Sequence, residues 1–346
     1  MRSLSLVLAV ATAFASVAAC REVPDGGAVD APGGAGDGPS GIGCDPREPR
    51  AVSPEAFVAP TGVQARITGL IDGAQTSLDV QMYLFTVTAI ADRIIAAHQR
   101  GVAVRVILDD HNANPNVRTR LTSAGVPVRE APSLYSFSHA KYFIVDRTAA
   151  VVMSMNFNVD AMSRERNYGF IDRDPEDVAD VAAIFEMDWA AGGGEPPKPA
   201  DLACTRLVVS PNNARQRILE LVNSAKTKLD IAAMYISEMT VRTAIIQAAS
   251  RGVAVRVILQ SSTDESGGIA ALRAANIPVH DADNAAFFLH AKLMIADGVA
   301  FVGSENFSST SLTRNREVGA LIFEPAQVST IQQQFDRDYA DTPAVP

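Results

Sequence analysis

The chain has 346 residues, of which 47% are hydrophobic and 20% charged, and its formal net charge is −9. That composition excludes a wholly disordered chain and leaves room for one large domain or two ordinary ones. The acidic balance argues against gripping long nucleic acid through a global positive field, although a small basic pocket for one phosphate stays open.

In chain order, Met1-Arg2-Ser3 is a short positive start, followed by an uncharged apolar run over 4–19 that ends in small residues. Such a run is too short and wrongly flanked for a spanning helix and reads as a secretory signal. It closes on Val17-Ala18-Ala19-Cys20, which resembles a bacterial lipoprotein box. Residues 1–19 are then a signal peptide and Cys20 the lipidated residue. A plain signal peptide cut nearby would leave Cys20 incidental. Arg21 after Cys20 resembles the outer-membrane default of a Gram-negative source. The expectation is therefore an exported envelope protein on an outer-membrane anchor, facing periplasm or exterior. Residues 20–50, rich in Gly, Pro and Asp, read as a flexible tether. Two cysteines remain, Cys44 and Cys204. An oxidising compartment makes a Cys44–Cys204 disulfide the expected pairing.

Beyond the tether the chain is duplicated. The nonapeptide Arg100-Gly-Val-Ala-Val-Arg-Val-Ile-Leu108 recurs unchanged from Arg251 to Leu259, and a shift of 151 residues carries Arg100 onto Arg251 and His139 onto His290. Two copies make a pseudo-two-fold pair, the single-chain counterpart of a symmetric dimer. The expected halves are 51–195 and 196–346, joined by a Gly/Pro-rich linker over 190–199. Each half reads alike. A helix (62–76; 213–226) precedes a strand with alternating apolar residues (78–84; 229–235). A helix (89–99; 241–250) and a nearly continuous apolar strand (102–108; 253–259) follow. Strand, helix, strand of this kind is a parallel βαβ unit. A further helix (117–124; 269–275), a short strand (126–128; 277–279), the motif strand (140–145; 291–296) and one more strand (150–155; 300–303) complete each half. The fold class is α/β: two tandem α/β sandwich halves related by a pseudo-two-fold.

The motif strands carry the chemistry. They contain Ser138-His139-Ala140-Lys141 with Asp146, and Leu289-His290-Ala291-Lys292 with Asp297, followed by Met153-Ser154-Met155-Asn156 and Gly303-Ser304-Glu305-Asn306. His and Lys at i and i+2 point to one side of a strand. A two-fold would gather two histidines and two lysines around one pocket. One neutral imidazole can attack phosphorus while the other, protonated, donates to the leaving oxygen. Ammonium and amide groups hold the non-bridging oxygens. No cofactor and no metal are called for, since lysine neutralises the charge and zinc-type spacings are missing from the sequence. Asp146 and Asp297 lie too far along the strand to share the phosphate and read as structural.

The paired H-x-K-x4-D with a downstream G-S-x-N resembles the phospholipase D superfamily, over residues 53–339. The resemblance implies a phosphohistidine intermediate on one histidine, with the other as acid and then activator of water. It implies phosphate binding by Lys141, Lys292, Asn156 and Asn306, helped by Ser154 and Ser304. It also implies an acid supporting a histidine ring, for which Glu317 fits. Two departures stand out: Met153 replaces the Gly of G-S-x-N, and Asn167 occupies the place of a second acid, with Glu165 two residues away. The family pattern makes His139 the nucleophile and His290 the acid, whereas the absent carboxylate in the first half favours the reverse. His98 and His280 lack catalytic neighbours. Asp109-Asp110-His111 follows a strand end, but Gln260-Ser261-Ser262 stands there in the second half. Phe137, Phe287 and Phe288 line an apolar entry or belong to the core.

The implied partners are a phospholipid or other phosphodiester and a membrane reached through the lipid anchor, with the chain a monomer whose halves form one site. Phospholipase D-type hydrolysis to phosphatidic acid and free head group is the first expectation. A metal-independent endonuclease of the same superfamily is the second, and a non-catalytic phosphate-binding lipoprotein the third. Phosphatidyl transfer uses the same intermediate with an alcohol in place of water. Thiol titration of the denatured, unreduced protein is expected to find neither Cys44 nor Cys204 free; two reactive thiols would refute that pairing.

Overall fold

A computed structural model describes residues 47–111, 114–264, 267–283 and 285–345. The expected signal peptide, Cys20, Cys44 and nearly all of the tether lie outside the described residues. Cys204 is disulfide-bonded. No helix among the described residues is long and apolar enough to cross a membrane.

The first half runs β1 (Glu55–Ala59), α1 (Val63–Gly73), β2 (Ser77–Met82), α2 (Thr88–Gln99), β3 (Ala103–Leu108), α3 (Pro115–Ser123), β4 (Val128–Glu130), β5 (Lys141–Val145), β6 (Ala149–Met153), α4 (Val159–Ser163), β7 (Glu165–Asp172) and α5 (Pro175–Gly192). The second repeats it as β8 (Leu207–Ser210), α6 (Ala214–Ser224), β9 (Lys228–Ala233), α7 (Met239–Ser250), β10 (Ala254–Leu259), α8 (Gly268–Ala274), β11 (Val279–Asp281), β12 (Phe288–Leu289), β13 (Lys292–Ala296), β14 (Val299–Gly303), α9 (Ser309–Thr313), β15 (Glu317–Ile322) and α10 (Pro325–Asp341). Their sheets have the orders β1-β7-β6-β5-β2-β3-β4 and β11-β10-β9-β13-β14-β15-β8. The expected βαβ units are present, with β2 parallel to β3 and β9 parallel to β10.

Three cores follow from the alternation of side chains across each sheet. Ile67, Ile94 and Leu121 from α1–α3 cover the outer face of the first sheet, against Val80, Val106 and Phe143. Ile218, Ile245 and Leu272 do the same for the second, against Ile231, Val257 and Met294. The inner faces meet each other. Tyr142, Ile144 and Val152 of the first sheet and Leu293, Ile295 and Val302 of the second share one core with Ile184 and Phe185 of α5 and Ile331 and Phe335 of α10. Each such fully buried aliphatic or aromatic side chain contributes roughly 1.5–3 kcal/mol, so the two sheets hold one another.

Ion pairs cross the same seam. Arg316 from β15's approach is buried against Asp188 of α5, with Nε 2.9 Å from Oδ2. Reciprocally, Arg166 of β7 reaches Asp338 of α10 at 2.8 Å. Arg206 bridges the starts of α5 and α10 through Asp177 (3.3 Å) and Glu324 (2.8 Å).

Several sequence expectations need correction. The tether does not extend to residue 50, because Arg50 pairs with Asp177 at 2.8 Å and its N–H donates to Glu324 at 2.9 Å. The linker begins late, since 190–192 complete α5. The short strands lie at Val128–Glu130 and Val279–Asp281 rather than two residues earlier, because Pro127 and Pro278 have no N–H to give a ladder. Replacing Asp188 by Ala strands a buried guanidinium. It is expected to lower the unfolding free energy by ~3–5 kcal/mol, read from urea denaturation.

Candidate active site

Lys141 and Lys292 are the first residues of β5 and β13, and the histidines stand two residues before them. Both lysines are fully buried, and each ammonium donates to the carbonyl of its own motif histidine, His139 for Lys141 and His290 for Lys292. The residue before each histidine is fixed by a side chain just past the end of β3 or β10, which lies one strand away from the motif strand. Asp109 accepts from the Ser138 N–H at 2.7 Å and Gln260 Oε1 from the Leu289 N–H at 2.8 Å. The rim residues that looked unrelated between halves therefore perform one structural task, through the acceptor oxygen that Asp and Gln share.

Each histidine is then gripped by the opposite half. The His139 N–H donates to the Arg316 carbonyl at 2.8 Å, and its Nδ1 lies 2.8 Å from Glu317 Oε2. The His290 N–H donates to the Arg166 carbonyl at 3.1 Å, and its Nδ1 lies 3.0 Å from Asn167 Oδ1. One dipeptide, Arg316-Glu317 or Arg166-Asn167, thus holds a histidine of the other half by backbone and by ring. This corrects the sequence reading in one respect. The carboxylate missing from the first half is missing beside His290, while His139 has its acid in Glu317. Sequence position suggested support within a half; β12 pairing with β7 and the Ser138–Arg316 bridge deliver it across halves.

Burial dominates the electrostatics. It lowers the His139 pKa against the raising effect of Glu317, and with the charges of Lys292 and Lys141 it takes His290 well below the usual imidazole value. Burial also takes Lys141 well below its ordinary value and brings Lys292 down to about 7, although Glu317 and Glu165 oppose it. Glu317 is lowered in spite of burial, because His139 and Lys141 face it.

The other expected residues fall into two groups. Asn306 lines the cleft beside His139, Asn156 is buried at the equivalent place in the first half, and among the described residues neither Oδ1 has a partner. Ser154 and Ser304 do not share that role. Both are fully buried and accept the N–H of Tyr168 and Val318, each at 3.1 Å, and Ser154 donates its proton to Asn167. Their side chains point between strands, because each follows the last residue of β6 or β14. Asp146 and Asp297 lie at the far end of the motif strands. There they accept from backbone N–H groups of 75–77 and 226–228, which pins the following turn.

The Met153 departure is explained by the residue two positions downstream, Met155 in the first half and Glu305 in the second. Gly303 pairs with Gly319, and a Cβ on either would come within 2.2 or 2.7 Å of a Glu305 oxygen. The glycines make room for Glu305, whose carboxyl is buried without a partner among the described residues and is pushed well above the usual range by burial and by Glu317. The first half has Met155 in place of Glu305, so that space is not needed and Met153 fills the outer core.

A cleft of about 730 Å³ opens on the site. Tyr83, Phe137, Met234, Tyr235, His139 and Asn306 line it, with hydroxyls from Ser237, Ser262, Thr263, Ser308 and Thr310. Tyr83 packs edge-on against His139 at 4.4 Å and lies 4.8 Å from the Lys141 ammonium. Phe137 is exposed at the mouth. Phe287 instead packs beside the central core with Arg166 over its ring at 4.8 Å, and Phe288 pairs with Glu165 in the sheet. His98 is half-buried, and His280 stacks on Tyr339 at 3.7 Å, away from the cleft lining. Tyr83, Arg316, Arg166, Asp188 and Glu305 were missed in the sequence; for the arginines, the shared central Arg of Glu165-Arg166-Asn167 and Asn315-Arg316-Glu317 was the available signal.

An anion entering this site favours the charged form of Lys292. Tungstate binding at about pH 7.5 is therefore expected to draw in protons, with affinity strengthening as pH falls through the value near 7. Calorimetry in two buffers of different ionisation enthalpy checks this; identical heats would contradict it.

A family model described as cardiolipin synthase, PLD-like domain, matches residues 67–189 and 218–339. The probable cardiolipin synthase YwiE of Bacillus subtilis (strain 168) is 25% identical over 313 residues, covering 78% of this chain and 62% of that protein. The mitochondrial cardiolipin hydrolase of Danio rerio is 34% identical over 122 residues, 34% of this chain and 54% of its own length. The chain thus spans less than two thirds of either relative. The solved structure of phosphatidylserine synthase from Haemophilus influenzae Rd KW20 shares the fold, with a TM-score of 0.66 at 15% identity over 86% of this chain and 88% of that one.

Proposed function

The chain belongs to the phospholipase D-like family, and from that premise we propose that it cleaves a phospholipid phosphodiester through a phosphohistidine on His139. The observation that carries this reading is the cross-half contact of Glu317 with His139 Nδ1. A carboxylate there holds the Nδ1 proton, leaves Nε2 as the nucleophile, and stabilises the positive ring that exists once Nε2 is phosphorylated.

In the first step Nε2 of His139 bonds to phosphorus and the bond from phosphorus to the head-group oxygen breaks. Protonated His290 supplies the proton that oxygen needs. Burial and the lysines disfavour that proton in the empty site; the negative charge of a bound phosphodiester favours it. In the second step water attacks phosphorus, gives a proton to His290, and phosphatidic acid leaves with His139 restored. Lys141, Lys292 and the amides of Asn156 and Asn306 hold the non-bridging oxygens throughout.

Lipid is favoured over nucleic acid as substrate. The chain carries a net charge of −9, and among the described residues the cleft lining has Ser, Thr and aromatic side chains but no Lys or Arg for a second phosphate. The relatives named above, a probable cardiolipin synthase and a cardiolipin hydrolase, point to lipid as well. The likeness to a probable cardiolipin synthase supports a second reading, transfer of the phosphatidyl group to an alcohol in place of water. A lipidated Cys20 belongs to the same proposal, since it would hold the cleft within a tether's reach of a bilayer.

The test offers the protein, in the presence of chelator, vesicles of phosphatidylglycerol or phosphatidylcholine and, separately, plasmid DNA. Phosphatidic acid from vesicles with intact plasmid is expected. Cardiolipin with little phosphatidic acid would select the transfer reading, and nicked plasmid with untouched lipid would overturn the lipid assignment. His139→Ala is expected to lower turnover by roughly 10³-fold or more. Full activity in that variant would refute the nucleophile.

A further inference from the structure

The two ring-supporting tripeptides are mirror orders of the same residues. The first half has Glu165-Arg166-Asn167 and the second Asn315-Arg316-Glu317. The arginine carbonyl receives the opposite histidine's N–H in both. In the second half the carboxylate touches His139 and the amide stands behind it, with Asn315 Nδ2 donating to Glu317 Oε1 at 3.0 Å. In the first half the amide touches His290 and the carboxylate stands behind, with Asn167 Nδ2 donating to Glu165 Oε2 at 3.0 Å. All four are buried.

We propose that Glu165, acting through Asn167, is the positioning residue for His290, and that this inverted acid–amide order assigns the two histidines their different tasks. The proposal rests on the phosphohistidine reading above.

The geometry leaves Asn167 no choice. A carboxylate only accepts, so the amide nitrogen must face Glu165 and Oδ1 must face the other way. Oδ1 then meets the Ser154 hydroxyl at 2.7 Å and His290 Nδ1 at 3.0 Å. Being an acceptor, it requires a proton on Nδ1 and leaves Nε2 as the nitrogen that exchanges protons. Glu165 itself stays 3.6 Å from Nδ1 and also receives Asn158 Nδ2 at 3.4 Å. His290 thus has its tautomer fixed by a neutral group, with the negative charge one residue removed.

That arrangement suits a proton carrier. A ring that must release a proton to the leaving oxygen and then take one from water works against a carboxylate in direct contact, which would hold the imidazolium. The opposite holds for His139, where a directly contacting carboxylate stabilises the cationic phosphorylated ring. The sequence departure at Asn167 is therefore half of a matched pair rather than a lost acid.

The experiment uses bis(4-nitrophenyl) phosphate, whose leaving group departs without an acid, so that only the second step needs His290. Glu165→Gln is expected to keep a burst near one nitrophenolate per protein, with the steady rate about tenfold lower. Burst and steady rate falling in proportion, or neither changing, would overturn the assignment, since a merely structural residue scales both. The double variant Glu165→Asn/Asn167→Glu gives the first half the order of the second. With radiolabelled substrate and alkaline quench, the label is expected on His139 alone in the natural chain and on both His139 and His290 in the double variant. Label confined to His139 in a folded, active double variant would again overturn it. A natural chain that releases no nitrophenolate and takes no label overturns the underlying reading instead.

Discussion

Everything at this site depends on an exchange across the pseudo-two-fold. The start of β15 holds His139 and the start of β7 holds His290, each through a backbone carbonyl and a side chain. Each half therefore relies on the other to hold its motif histidine. The buried pair Arg316–Asp188 and the half-buried pair Arg166–Asp338 anchor the two gripping segments to helices of the opposite half. Burying such ions is costly unless they are paired and hydrogen-bonded. Here the pairing aligns the strand ends that carry Glu317 and Asn167, and the shared core of α5, α10 and both inner sheet faces holds that alignment.

The same exchange lets a duplicated chain build an unsymmetrical site. A true dimer of identical halves would give both histidines the same neighbour. This chain has placed Glu317 against one ring and Asn167 against the other, Tyr83 beside Lys141 where Met234 stands 3.6 Å from Lys292, and Glu305 where the first half has Met155. Phosphodiester cleavage by two histidines is itself unsymmetrical, since one becomes covalently bound and the other moves protons. Divergence of the halves and division of the chemistry have the same direction.

Burial is what makes so few charges effective. Lys141 and Lys292 have little or no contact with solvent, and burial lowers both their pKa values. A bound anion would favour their charged forms. The adjoining cleft is lined by Ser, Thr, Asn, Met and aromatic residues beside His139.

By itself the sequence determined the duplication, the motif strands and the two His and two Lys side chains on them. These are local facts: identity at a fixed offset, alternation along strands, and residues two apart on one face. The βαβ cores were legible for the same reason, as Val80, Val106, Ile231 and Val257 alternate or run apolar. The strands β7 and β15 were not. Residues 165–172 carry Glu, Arg, Asn and Asp in a strand buried on both faces, so their polarity hid the strand. Only the tertiary structure decided which acid serves which histidine. Glu317 is 178 residues from His139 in the chain, and no spacing rule reaches across a seam made by two sheets packing face to face.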